Sequence, residues 1–297
     1  MGTIVTIDIV DDAADRDTDE RHAAIARAFD WFREVEATCT RFDESSELMQ
    51  LCRDYDAPTH VSEILFAATQ TAIAVADASG GAFDPVVTEG RSPAEVASGA
   101  SGQRRRVTFR DVALDADAKT ITFRRPLQLD LNAVAKGLAV DLAARELVNF
   151  RNFVVDAGGD LYASGRNAHG DAWRIGIRHP SIDREVIATI DVSGAAICTS
   201  GNYERRDVSA APAHIVHPAT GAFATDTLSA TVVASTAMLA DAMSTAAFVI
   251  GGTDAIAFLE RNGVDGLLVT ADLDVLASAN MSRHYGLIAG APILPHA

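Results

Sequence analysis

Strand-like and helix-like segments follow one another irregularly along this chain, with no repeating βαβ period and no internal repeat. That one feature excludes a doubly wound parallel sheet and restricts the fold to α+β, with mixed or antiparallel sheets and helices packed on them. The opening "TIVTIDIV" alternates and is rich in β-branched residues, so it reads as a strand. Residues 20–37 repeat apolar positions at helical spacing through Ile25, Phe29, Phe32 and Val35. A second helix is expected over 62–79, with Ser62 as N-cap and Gly80–Gly81 ending it. Residues 88–106 are rich in small, polar and charged side chains and read as a mobile loop. Two strands joined by a "DADAK" turn follow, and then a helix from Asn132 to Asn149 with Val134, Leu138, Leu142 and Leu147 on one face. Strands are expected at 185–192, 195–199, 213–217 and 227–234, helices through 235–252 and 253–263, and final strands through "GLLVTA" and "DVLASAN".

With 297 residues and 48% hydrophobic content, the chain can bury one large core or two joined lobes. It has 25 basic against 41 acidic residues, a net charge of −16. Such a surface repels polyanions, so nucleic acid and anionic lipid are poor partners. Cys39, Cys52 and Cys198 are scattered and form no CxxC pair, so neither a disulfide framework nor a zinc site is indicated. No run reaches the roughly 18 apolar residues of a membrane span. The N-terminus shows neither a basic-apolar leader nor a lipid-accepting cysteine. The expectation is a cytoplasmic protein without direct membrane insertion. Nucleotide-loop, zinc-protease and serine-hydrolase signatures are absent as well.

Four stretches are suited to chemistry. In "LDLNAVAKGLAVD", a helix starting near Asn132 presents free N–H groups and a positive dipole end to an anion. Lys136 stands about a turn in, within reach of that anion or of a nearby carboxylate, and Asp130 is placed to cap or to ligate. A capped core helix with a snorkelling lysine has the same spacing. In "STAMLADAMSTAAF", Asp241, Ser244 and Thr245 stand at i, i+3 and i+4, so three hard oxygens share a face, as a Mg²⁺ site or as a polar edge. "SGGAFDPVV" combines a helix stop with glycines that admit close backbone approach. In "CTSGNYERR" and "HIVHPATG", Ser200–Gly201–Asn202 is read as a tight turn, with Tyr203 and Arg205 facing a ligand. A histidine there suits a general base, and equally a structural role. His214 and His217, at i and i+3 of a strand, point to opposite faces and make a poor metal pair.

The ordered set "MGT", "SSELMQL", "GGAFDP", "LDLNAVAKGLAVD", "VDAGGDLYASG", "WRIGIRHP", "CTSGNYERR", "HIVHP" and "ADAMSTAAFVIG" resembles the ApbE family of flavin transferases over residues 1–252. The resemblance implies a T-fold-like, two-lobed single domain over 1–297. It implies an enzyme that, with Mg²⁺, transfers FMN from FAD to a threonine hydroxyl of an acceptor flavoprotein and releases AMP. Carried over by motif, Mg²⁺ is expected on the main-chain oxygen of Ala133, the Asp241 side chain and the Thr245 hydroxyl, with Ser244 beside them. FAD is expected on Met1, Ala82, Phe83, Asp84, Asp130, Lys136 and the backbone near Ile215. Asp241 and His214 are the expected catalytic residues, His214 taking the proton of the attacking threonine. Phe42 stands where many members have a flavin-stacking tyrosine, and a phenyl ring stacks without the phenol's hydrogen bond. "LNAVAKG" replaces the commoner "LGGIAKG", His217 stands where aspartate is usual, and a tryptophan-containing stretch is missing after "FDPVV". Many members are exported lipoproteins, whereas here the fold begins almost at "MGT". The same site with water as acceptor is a Mg²⁺-dependent FAD pyrophosphatase, and without catalysis a flavin-binding protein. A monomer or homodimer is expected.

Overall fold

The computed structural model describes residues 2–10, 18–87, 106–201, 215, 217–218, 220–286, 288–289 and 293–294. Its backbone is organised by an eight-stranded sheet whose strands lie in sequence order: β1 Val5–Ile9, β2 Phe153–Ala157, β3 Asp160–Ser164, β4 Ala195–Gly201, β5 Thr227–Ala234, β6 Asp265–Thr270, β7 Val275–Ala277 and β8 Ile293–Leu294. Neighbours are antiparallel except the last pair, which is parallel. The fold is thus α+β with a mixed sheet, as the irregular element order requires.

The sheet is covered on both faces, which explains why its central strands read as near-continuous apolar runs. Successive residues of a strand point to opposite sides. Phe153, Val155, Cys198, Val232 and Leu268 therefore join the cluster under the helices. Their neighbours Val154, Ile197, Val233, Leu267 and Val269 join a second cluster on the other side. That second cluster is closed by a three-stranded sheet of Trp173–Arg178, Val186–Val192 and Ile288–Ala289.

Seven helices are described: α1 Thr18–Cys39, α2 Glu47–Leu51, α3 Glu63–Ala78, α4 Asn132–Glu146, α5 Ala237–Ile250, α6 Gly252–Arg261 and α7 Ala279–His284. The buried stripe of α1 is Ala24, Ala28, Phe32, Val35 and Cys39, while Ile25 and Phe29 are only half-buried. Ser62 caps α3 by accepting from the Leu65 N–H at 3.2 Å. The helix ends where Gly80 and Gly81 take φ of 63° and 88°, conformations a side chain would oppose. The hairpin Val112–Asp115 with Thr120–Phe123 forms around the "DADAK" turn, in which Asp115 Oδ1 accepts from the Asp117 and Ala118 N–H groups.

Three expectations need correction. α4 ends at Glu146 rather than Asn149. The last expected strand stops at Ala277. There Ser278 turns the chain, its N–H donating to the Gly266 carbonyl and its hydroxyl to Asp265, and α7 begins at Ala279. Ser200 and Gly201 are strand rather than turn, because they complete the β4–β5 ladder opposite Ala230 and Ser229. Of the expected strand 213–217, residues 213, 214 and 216 lie outside the described residues, and Ile215 and His217 carry no strand. All but residue 106 of the expected loop 88–106 also lies outside them. No helix among the described residues is long and apolar enough to cross a membrane.

Candidate active site

A cleft of about 630 Å³ opens where the start of α4, the middle of α5 and the end of β4 converge. Its wall takes in Gly2, Thr3, Arg41, the 82–85 stretch, Asp130, Ala133, Lys136, Ser200, Ile215, Asp241 and Thr245. Nine of the residues expected at a site from the sequence, Ala82, Phe83, Asp84, Asp130, Ala133, Lys136, Ile215, Asp241 and Thr245, therefore line one cavity. Ser244 lies behind the wall, fully buried. Phe42 does not line the cleft: its ring is 74% exposed, with the Arg41 guanidinium 4.5 Å from its centroid. Met1 and His214 lie outside the described residues, as do Asn202, Tyr203 and Arg205.

Each polar group in the wall has a local reason for its position. Asp130 takes one of its two expected roles, at the start of the helix, and adds an ion pair. Oδ1 accepts from the Asn132 N–H at 2.9 Å, and Oδ2 pairs with Arg41 Nε at 2.9 Å. One of the N–H groups at the start of α4 is therefore already satisfied by the chain itself. Lys136 reaches the nearby carboxylate, with Nζ 2.6 Å from Oδ2 of Asp160. Asp160 is buried at the start of β3 and also accepts from the Thr199 N–H at 3.3 Å. Burial pushes its carboxyl up from the ordinary aspartate value, while the Lys136 ammonium pulls it down. Asp84 is likewise raised by burial, and its Oδ1 accepts from the Val86 and Phe109 N–H groups at 3.0 and 3.1 Å. That carboxylate folds the 82–87 stretch back onto the chain, so the glycine pair stops the helix and the residues after it form the cleft wall.

The oxygen cluster lies on α5. Asp241 is 6% exposed, and its Oδ2 accepts from the Gly137 N–H at 3.4 Å. Ser244 and Thr245 hydroxyls donate to the Asp241 carbonyl at 2.8 and 3.3 Å. Ser200 Oγ stands 2.8 Å from Ser244 Oγ and 3.0 Å from Thr245 Oγ1, joining β4 to this face. Asp241, Thr245 and Ala133 line the same cleft, and a carboxylate, a hydroxyl and a main-chain carbonyl are hard oxygens of the type that could hold Mg²⁺ with open positions for water or phosphate. Among the described residues no three His, Cys, Asp or Glu side chains gather. A cation placed here would meet chiefly neutral oxygens. The adjacent Cys198 thiol is fully buried and pushed well above its ordinary value by desolvation, so it is not a nucleophile.

The sequence profile of the ApbE family matches residues 1–268. This chain belongs to the ApbE family. A Haemophilus influenzae protein named FAD:protein FMN transferase is 28% identical over 292 residues, covering 91% of this chain and 84% of the relative. A Treponema pallidum protein of the same name is 31% identical over 295 residues, covering 88% and 81%. Among solved structures, the ApbE protein of Thermotoga maritima superposes with a TM-score of 0.80 at 25% identity, covering 95% of this chain and 96% of that one. The flavin transferase ApbE of Vibrio cholerae does so at 0.77 and 26%, with the same coverage.

Three charged residues in or behind the wall of this ApbE cleft carry no signal of their own in the sequence: Arg41 lines it, and Asp160 and Asp141 stand behind it. Asp160 follows a Gly–Gly pair and looks like an ordinary turn aspartate. Asp141 ends the quoted "LDLNAVAKGLAVD" stretch, and no role follows for it from its spacing. Arg41 is masked by the adjacent Phe42, which draws the attention an aromatic residue earns. The available signal was that "LDLNAVAKGLAVD" and "VDAGGDLYASG" each bring two carboxylates, Asp130 with Asp141 and Asp156 with Asp160, into a largely apolar setting, where an unpaired charge is costly.

Proposed function

We propose that this ApbE-family chain is an FAD:protein FMN transferase that works with Mg²⁺, with a threonine hydroxyl as acceptor and AMP as the leaving group. The observation that carries this reading is the convergence, in one cleft, of the Asp241–Thr245 oxygens, the Ala133 position and the Lys136 ammonium. The strands near the two ends, β1 and β8, share one sheet, which supports reading residues 1–297 as a single domain.

The reaction is a phosphoryl transfer, which depends on positioning and charge neutralisation more than on covalent help from the enzyme. Ala133, Asp241 and Thr245 would hold Mg²⁺, which would supply charge neutralisation for the transfer. The chain's own residues do the rest. Lys136, fixed by Asp160, presents a second positive charge to the phosphates. Asp130, tied to Arg41, sets the start of α4, and Ala82–Phe83–Asp84 forms the opposite wall for the dinucleotide. The acceptor threonine oxygen forms a bond to the FMN phosphorus as the bond to the AMP oxygen breaks, and AMP leaves with that electron pair. The threonine proton passes to a base, for which the family resemblance proposes His214. The acceptor is a flavoprotein outside this chain.

The test is to incubate the protein with FAD and Mg²⁺, with and without a threonine-bearing acceptor fragment, and to follow AMP by chromatography and acceptor mass. The expected result is an acceptor heavier by one FMN with matching AMP. AMP and free FMN regardless of acceptor would make it a pyrophosphatase, and no AMP would leave a flavin-binding protein. Asp241→Ala is expected to abolish Mg²⁺-dependent AMP release.

A further inference from the structure

The two helices that carry the cleft's oxygen donors are tied by a reciprocal pair of carboxylates. Asp141, on α4, spreads both oxygens over the first N–H groups of α5: Oδ1 accepts from Ala237 at 2.7 Å and Oδ2 from Met238 at 2.9 Å. One turn back on α4, the Gly137 N–H donates to Asp241, which lies one turn into α5. The pairs 137 with 241 and 141 with 237 share one seam, so the helices pass in opposite chain directions along it. The seam is close. A Cβ on Gly137 would fall on the Ala237 carbonyl and lie 2.6 Å from the Met238 nitrogen.

Asp141 shares the capping of α5 with Thr236, each satisfying different N–H groups. Thr236 serves as N-cap, its hydroxyl accepting from the Leu239 N–H at 3.4 Å. Asp141 does not line the cleft. What it adds is register between the helix bearing Asp241 and Thr245 and the helix bearing Ala133. That register matters for a small hard cation, which tolerates little departure from octahedral geometry at roughly 2.0–2.1 Å.

We infer that Asp141 is a positioning residue for the cation site, setting where Asp241 and Thr245 stand relative to Ala133. This rests on the reading of those residues as Mg²⁺ donors. Outer partners of metal ligands change affinity by about 10–100-fold when removed. Asp141 acts one step further out, through the Ala237 and Met238 N–H groups. A loss near the low end, about 10-fold, is therefore expected for Asp141→Asn, which puts an NH₂ donor where one of the two accepting oxygens stands.

The experiment is Mg²⁺ titration by calorimetry, with thermal unfolding in EDTA alongside, on wild type, Asp141→Asn and Thr236→Ala. Thr236→Ala is expected to lower the unfolding temperature while keeping wild-type Mg²⁺ affinity. Asp141→Asn is expected to lose affinity beyond anything its EDTA unfolding temperature accounts for. If Asp141→Asn fails to fold, Asp141→Glu, which keeps charge and acceptors on a longer arm, gives the same comparison. Wild-type Mg²⁺ affinity in a folded Asp141 variant, or equal losses in the Asp141 and Thr236 variants, would overturn the positioning role. A wild-type protein that binds no Mg²⁺ would overturn the cation reading itself, a separate outcome.

Discussion

Lys136 Nζ sits 2.6 Å from Asp160 Oδ2, so the ammonium that interrupts the apolar run of α4 is anchored by a carboxylate buried at the head of β3. The pair faces the cleft on the lysine side and the sheet on the aspartate side. Removing one partner leaves the other charge stranded in a poorly solvated site. Lys136→Met is therefore expected to destabilise the protein by about 3–5 kcal/mol at neutral pH. The pH dependence follows from the direction of the Asp160 shift. Its folded value is raised, so the group's favourable contribution is complete below the unfolded aspartate value and is lost as pH rises through the folded value. Without Lys136 the carboxyl is raised further, and the deficit of the variant should shrink as pH falls and the buried group takes a proton. Urea unfolding of both proteins between pH 5 and 8 checks this, and a deficit independent of pH would refute it.

Gly137→Ala presents two opposed effects whose sizes decide the sign. Alanine is the better helix former by about 1 kcal/mol. Against that, its methyl would fall on the Ala237 carbonyl, which is backbone and cannot rotate away. Overpacking of this kind costs about 1–3 kcal/mol, and here it also separates α4 from α5. The expected outcome is a net loss of stability, seen as a lower denaturant midpoint with an unchanged slope. A midpoint equal to or above wild type would show that the seam gives way.

Thr245 and Ser200 separate a donor from its support. If the Thr245 oxygen faces a cation, its proton needs another acceptor, and the Asp241 carbonyl at 3.3 Å and Ser200 Oγ at 3.0 Å are both placed for it. Thr245→Val should therefore lower Mg²⁺ affinity more than Ser200→Ala, for which a loss nearer 10-fold is expected from removal of an outer partner. Mg²⁺ titration of the two variants checks the order. The reverse order would place the cation on the Ser200 side.

How much of this was legible depended on sequence distance. The strands of the sheet announced themselves because burial on both faces writes long β-branched runs, and β5 falls on the expected 227–234. The Asp241–Thr245 face was legible because i and i+4 on a helix are neighbours by construction. Asp160 and Asp141 were not, because what makes each matter stands far along the chain. Asp160 meets Lys136 only when β3 packs beside α4, and Asp141 meets Ala237 across 96 residues. The strand assigned through Ser278 failed for a similar reason. The turn there is held by Asp265 and Gly266 on the neighbouring strand, and nothing in "LASAN" reports that.

Glu146 offers the opposite pH behaviour from Asp160. At the end of α4 it accepts from Trp31 Nε1 at 3.0 Å and from Arg27 Nε at 2.8 Å, tying α4 to α1. The Trp31 bond first, and the Arg27 bond after it, hold its carboxyl below the ordinary glutamate value. A lowered folded value means the contribution is present above the unfolded value, about 4.3, and is lost as pH falls through the folded one. Because Arg27 is exposed, solvent screening keeps the pair's share small. Glu146→Gln should therefore cost a small but measurable amount of stability at pH 7 and progressively less toward about pH 3.5, where the wild-type carboxyl takes up its proton. Chemical unfolding of both proteins across that range tests it. A difference that grows on acidification would mean that the α1–α4 seam draws nothing from the Glu146 charge.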